Sequence, residues 1–242
     1  MRATSAGLPL DPSLPAVLER VRDDVARFRD WGFDLVKHDF STVDALGRFG
    51  DTMGADITDH HHRFSDDTRT TAEILIAFYD AIREAAGDMA VLGCNVMGHL
   101  AVGAIDAQRI GDDTSGRTWE RTRRMGINTL AHRLPQHDAF FTLDADCVPA
   151  TPATPWEVNR QWLDLVARSG TALFVSVDPA VRSDAIDADL SRAIRTALDQ
   201  PEATRTRAMD LVDTSTPVRW EFEDGSAEYN WDAPTGAWPF SI

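Results

Sequence analysis

The stretch Trp31-Gly32-Phe33-Asp34-Leu35-Val36-Lys37-His38-Asp39-Phe40 decides how the chain is read. Apolar residues before it recur at three- and four-residue spacing, the period of a helix, and Gly32 ends that pattern. The residues after Gly32 read as a short strand that finishes on a charged group. Alternate strand residues share a face, so Leu35, Lys37 and Asp39 point one way and Val36 and His38 the other. A lysine and an aspartate on an inward face, at the carboxyl end of a strand, cost free energy to bury. Either they serve chemistry, or they form a structural Lys–Asp pair.

Working outward, Ser13 is placed to cap the preceding helix, whose stripe is Leu14, Val17, Leu18, Val21, Val25 and Phe28. Residues 41–66 are polar and too long for an ordinary connection, which suits a functional loop. A second helix is expected over Thr70–Ala86 with Gly87 after it, then a buried strand over Met89–Asn95. A short strand near Asp106–Gly111, a helix over Thr118–Arg133 and a strand over Ala139–Asp146 come next. Thr154-Pro155-Trp156-Glu157 reads as a capping box with proline at the first helical position. It opens a helix to Ser169, followed by an apolar strand over Thr171–Asp178 and a last helix over Ile186–Leu198.

Strands alternating with helices of this length predict a parallel sheet with crossover helices. Five βα units are counted, with polar residues gathered just past the strand ends, the layout of a (β/α)8 TIM barrel. The expected fold is therefore a partial barrel over residues 1–205. In the tail, Val218, Trp220 and Phe222 alternate with charges, Asp224-Gly225 turns, and Ala227, Tyr229 and Trp231 alternate back. That predicts a small antiparallel β appendage over residues 206–242.

The net charge of -15 argues against nucleic acid and against an anionic membrane surface as partners. The first dozen residues hold no apolar signal-peptide core, and Cys94 and Cys147 are too few for a disulfide framework, so a reducing, cytoplasmic location is expected. His60-His61-His62 invite a metal reading, but consecutive side chains rarely converge on one ion, and no metal is expected. Trp119, Trp156 and Trp162 fall at helical positions and are expected in the core.

Two carboxylates from different strand ends are the minimal equipment of a retaining glycosidase. Asp39 suits the attacking role, because adjacent Lys37 favours its ionised form. Arg109-Ile110-Gly111-Asp112-Asp113 can supply the second group. Two neighbouring aspartates repel, which favours a protonated form on one of them, as a general acid needs. The bland alternative is a solvated acidic turn ahead of the helix near Thr118.

These residues carry a resemblance. Lys-x-Asp ending a strand after Trp-Gly-Phe, then Gly93-Cys94-Asn95, then Arg-x-x-x-Asp, resembles the α-galactosidase (melibiase) group of glycoside hydrolases, the clan of families 27 and 36. Asp11-Pro12-Ser13-Leu14-Pro15 is similar to the lead-in to that family's nucleophile strand, and Thr142-Leu143-Asp144-Ala145-Asp146 resembles its Asp-Pro-Asp segment, with Ala145 in place of proline. The resemblance spans most of residues 10–180.

It implies a retaining hydrolase of α-galactosides or related α-glycosides, working without a cofactor on an oligosaccharide or glycoside. Asp39 would be the nucleophile and Asp113 the acid/base, with Asp112 as its neighbour. Their carboxyls would stand about 5–5.5 Å apart. Lys37 would hydrogen-bond sugar hydroxyls, and Arg109 would position the 2-hydroxyl or orient the acid. Cys94 would line the substrate; Asn95 and His99 would lie on the leaving-group side. Asp144 and Asp146 would stand behind the reacting groups or pair with a barrel arginine. The family's adjacent aspartate pair for the 4- and 6-hydroxyls has no counterpart here.

Against that family the chain corresponds to the carboxyl-terminal portion, strands four to eight. This implies a homo-oligomer or a missing N-terminal portion that completes the barrel. The alternative to an enzyme is a catalytically incompetent fragment, or a sugar-binding remnant.

Overall fold

The computed structural model describes residues 10–41, 64–201 and 205–232. His60, His61 and His62 lie outside the described residues, as does most of the long polar loop. The chain divides into two compact units, residues 1–108 and 109–242.

In the first unit, α1 (Pro15–Asp30) starts with Pro15 in its first turn, where a missing N–H costs nothing. Ser13 does not cap it. Leu14 is the N-cap, in extended conformation and without a side-chain bond. The Ser13 hydroxyl instead donates to Asp11 at 2.7 Å and accepts the Asp66 N–H at 3.1 Å. Asp11 also accepts the Ser65 N–H at 2.7 Å, so this polar turn is tied to the segment before the next helix.

That helix, α2 (Thr71–Ala86), has the full reciprocal capping box between Thr70 and Glu73. Ile74, Leu75, Tyr79 and Ile82 from α2 are buried with Val91 and Leu92. Of the expected α1 stripe only Val25 is buried. Strand β1 (Leu35–His38) pairs parallel with β2 (Ala90–Gly93), from Leu35 opposite Ala90 to His38 opposite Gly93. β2 pairs parallel with the start of β3 (Ala107–Arg109).

In the second unit the expected third helix is three pieces: α3 (Trp119–Arg121), a π-helical turn (Thr122–Asn128) and α4 (Thr129–Arg133). Strand β4 (Thr142–Ala150) runs four residues past the expected end at Asp146. It pairs parallel with β5 (Ala172–Val177), with a register shift between Asp144 and Cys147. Asp146 sits at that shift with φ of 71°, left-handed backbone that aspartate tolerates better than most residues.

Helices α5 (Trp156–Ser169) and α6 (Asp184–Leu198) follow β4 and β5. The capping box expected at Thr154 does not form. Pro155 itself is the N-cap, with ψ of 133°, so the helix starts one residue later than expected. The Thr154 hydroxyl then lies outside capping reach and accepts from the Asn159 amide at 2.7 Å instead. Trp119 and Trp162 are fully buried as expected, while Trp156 is half-buried and donates to Asp189 at 2.9 Å.

The strand order is β1-β2-β3-β4-β5, all parallel where registered, with a separate sheet β6 (Arg207–Ala208), β7 (Arg219–Phe222) and β8 (Gly225–Glu228). This is a partial (β/α)8 barrel with a small antiparallel appendage. In the β7–β8 hairpin Phe222 pairs with Gly225. The two-residue loop is thus Glu223-Asp224, one place earlier than the Asp-Gly signal suggested, with Gly225 taking φ of 129°. Among the described residues no helix is long and apolar enough to cross a membrane.

Candidate functional site

Asp39 follows the last residue of β1. Its Oδ1 accepts the Asn95 amide at 2.8 Å and the Phe40 N–H at 2.7 Å, and Lys37 Nζ stands 3.7 Å from Oδ2. Burial alone would raise the Asp39 carboxyl. Hydrogen bonds from Asn95, Cys94 and Phe40, with the charge of Lys37, hold it below the usual carboxylate range. The group is therefore an anion at neutral pH, supported by three donors and one cation.

Local backbone aims these donors. Asn95 and Phe40 have φ of 48° and 63°. Such conformations cost free energy in non-glycine residues and persist where surrounding structure fixes them. Part of that structure is Tyr79 of α2, which in the sequence is one more apolar-face helix residue. Its hydroxyl accepts the Met97 N–H at 2.9 Å and lies 3.3 Å from the Ser41 hydroxyl, so one side chain joins the segments after β1 and β2. Desolvation raises the Tyr79 hydroxyl pKa, so it stays protonated.

The structure thus brings Lys37, Cys94 and Asn95 to Asp39. His99 is exposed in the 3-10 turn Gly98–Leu100, with no hydrogen bond to this group among the described residues. His38 turns the other way, as alternation requires, with its ring 5.4 Å from that of Phe78 and 6.2 Å from that of Tyr79.

A second group is built in the other unit around Arg109, whose side chain is 8 % exposed. Nε donates to Asp144 at 3.3 Å, Nη1 to Asp113 at 3.1 Å, and Nη2 to Asp146. Arg109 is thereby the barrel arginine to which Asp144 and Asp146 pair. Burial pushes the Asp144 carboxyl up, although Arg109 and the Asp146 N–H act against it. Asp146 Oδ2 also accepts the Thr114 N–H at 2.5 Å, and the Thr114 hydroxyl donates to the Cys147 carbonyl at 2.6 Å. Thr114 carried no sequence signal, because its role depends on the β4 bulge. Burial, with Asp146 beside it, pushes the Cys147 thiol up to about 11.

Asp112 and Asp113 do not share a site. Asp113 turns to Arg109 and Asp112 to Arg121 at 2.6 Å, so the two carboxylates pair with different guanidiniums. Asp113 is 68 % exposed. Among the described residues no group of three or more His, Cys, Asp or Glu is arranged to hold a metal ion.

No family model and no curated protein matches the chain. Solved structures do. The chain is similar to the Thermus thermophilus α-galactosidase TtGalA, with a TM-score of 0.58 at 19 % identity, over 94 % of this chain and 45 % of that one. It is similar to a GH27 β-L-arabinopyranosidase from Geobacillus stearothermophilus, with a TM-score of 0.58 at 13 % identity, over 79 % and 44 %. A Saccharomyces cerevisiae α-galactosidase solved with raffinose matches with a TM-score of 0.56 at 13 % identity, over 92 % and 52 %. The fold is α-galactosidase-like across most of this chain, which spans about half the length of these structural neighbours.

Proposed function

We propose that this chain carries the catalytic carboxylates of a retaining glycoside hydrolase acting on α-galactosides or related α-glycosides. The observation that carries the reading is Asp39. A carboxylate at the carboxyl end of a parallel strand, held ionised by Asn95, Cys94, Phe40 and Lys37, is what attack on an anomeric carbon requires. Asp39 attacks and forms the glycosyl-enzyme. Asp113 protonates the departing oxygen and then takes a proton from the water that releases the sugar. Lys37 and Arg109 bind sugar hydroxyls, Cys94, Asn95 and His99 line the site, and Asp144 and Asp146 hold Arg109. No cofactor enters this mechanism.

The test is turnover of aryl α-galactosides and related α-glycosides by the purified chain, with the anomer of the first-formed sugar read by NMR. Retention of the α configuration, and loss of turnover in Asp39→Asn, are expected. Inversion, or an active Asp39→Asn protein, would overturn the assignment. The second reading is that the chain binds a glycoside without turning it over. Calorimetric titration with galactose or raffinose would then show binding in the absence of hydrolysis.

A further inference from the structure

We propose that Gly111 and the π-helical turn Thr122–Asn128 act as a lock that sets the position of Asp112 and Asp113, making Gly111 a positioning residue for the acid/base. This rests on Asp113 being that acid/base. A Cβ added at Gly111 would stand 2.0 Å from the Met125 carbonyl oxygen and 3.0 Å from its carbon. Only the absence of a side chain lets the Ile110–Thr114 segment lie against that backbone, because a helix carbonyl cannot swing aside as a flexible side chain would.

The π turn puts the carbonyl there. One extra residue widens the turn and pushes its backbone out of the helical line, a distortion that costs free energy and recurs at functional positions. The turn is pinned on both sides. Thr129 Oγ1 donates to the Arg124 carbonyl at 3.1 Å. Gly126 lies so close to Trp162 that a Cβ there would meet the indole at 3.0 Å.

The other contacts of the segment agree with a fixed rather than a floating loop. The Ile110 N–H donates to the Asp144 carbonyl at 2.9 Å, and the Thr114 N–H to Asp146 at 2.5 Å. Asp112 and Asp113 are held by Arg121 and Arg109, one of them immediately before the π turn and the other immediately before the segment. Gly111 is the point where all of this meets another helix without an intervening side chain.

The experiment compares Gly111→Ala with wild type on two α-glycosides of the same sugar, one with an alkyl leaving group and one with 2,4-dinitrophenol. An alkyl alcohol needs the proton that Asp113 gives; dinitrophenolate departs without it. A displaced acid therefore lowers kcat/KM, which reports only the glycosylation step, by about a hundredfold for the alkyl glycoside and by no more than about threefold for the dinitrophenyl glycoside. Exchange of the Thr114 amide hydrogen should also accelerate. Thr129→Val, which removes the hydroxyl from the turn without changing bulk, should move both readouts the same way by less, and it serves should Gly111→Ala fail to fold. Equal losses on both substrates, or unchanged Thr114 exchange, would overturn the lock. If wild type hydrolyses neither glycoside, the proposed function falls, and the lock is decided by amide exchange alone.

Discussion

His38 shows what one residue contributes to the pH behaviour of the first unit. Its ring packs on Phe78 and Tyr79, and its Nδ1 is buried without a hydrogen-bond partner among the described residues. Burial lowers its pKa from 6.5 to about 4, although the Asp39 charge pulls the other way. The unfolded chain takes up this proton near pH 6.5 and the folded chain only near pH 4. Between those values the unfolded state binds more protons, so stability rises with pH. The effect is complete above pH 6.5 and lost below pH 4, with a ceiling of about 3 kcal/mol. Urea unfolding at pH 7 and pH 4.5 should show a smaller difference for His38→Phe than for wild type. An unchanged difference would remove His38 as the source. The alternation of residues 35–39 made the direction of His38 legible in the sequence. Its packing partners were not legible, because Phe78 and Tyr79 arrive from a helix some forty residues away.

At the scale of elements, Arg109 links the end of β3 to β4 and to the loop after β3. Replacing it by methionine keeps much of the apolar stem but leaves Asp144, 1 % exposed, and Asp146 without their cation. Loss of one partner from a buried charge cluster costs about 3–5 kcal/mol, so Arg109→Met should lower the urea midpoint accordingly. Arg109→Lys should recover only part, since an ammonium cannot serve three carboxylates in one plane. An unfolding free energy within about 1 kcal/mol of wild type would show the cluster to be solvated in solution.

The alternation of strands and helices was legible from hydrophobic period alone, as was the end of the first helix at Gly32; the Thr70–Glu73 box emerged only in the structure. The far end of β4 was not. Pro149 argues against a strand, and the bulge at Asp146 interrupts the alternation that would have announced one. The π turn was not legible either: one inserted residue moves the apolar spacing by a single place, too small a change to read against the three- and four-residue spacing of an ordinary helix. The candidate carboxylates were legible because charged residues at strand ends stand out; their partners Thr114 and Arg121, and Tyr79 behind the Asp39 segment, were not, being ordinary residues until the fold places them.

For the molecule as a whole, the tail is structural to the second unit. Trp119 Nε1 donates to the Trp231 carbonyl at 2.7 Å, Tyr229 to Asp164 at 2.7 Å, and Arg168 lies 4.0 Å over the Phe222 ring while bonding Asp224. The sequence separated this hairpin as residues 206–242 because its period changes from helical to alternating. Nothing in that change reveals that its aromatic side chains close over Trp119. A chain ending at residue 205 should lose the near-ultraviolet circular dichroism of its packed tryptophans and unfold without a cooperative transition. Retention of both would make the tail a dispensable cover. The two thiols offer a finer readout. Cys94 lies in the first unit and Cys147 in the second, and neither is in a disulfide. With its pKa near 11, only on the order of one Cys147 in ten thousand is a thiolate at neutral pH. Alkylating reagents therefore label Cys147 slowly until β4 opens and restores an ordinary thiol, and buried Cys94 is reached when β2 opens. The chain carries one chemical clock in each unit, and mass spectrometry of the labelled peptides can time the two openings in a single tube.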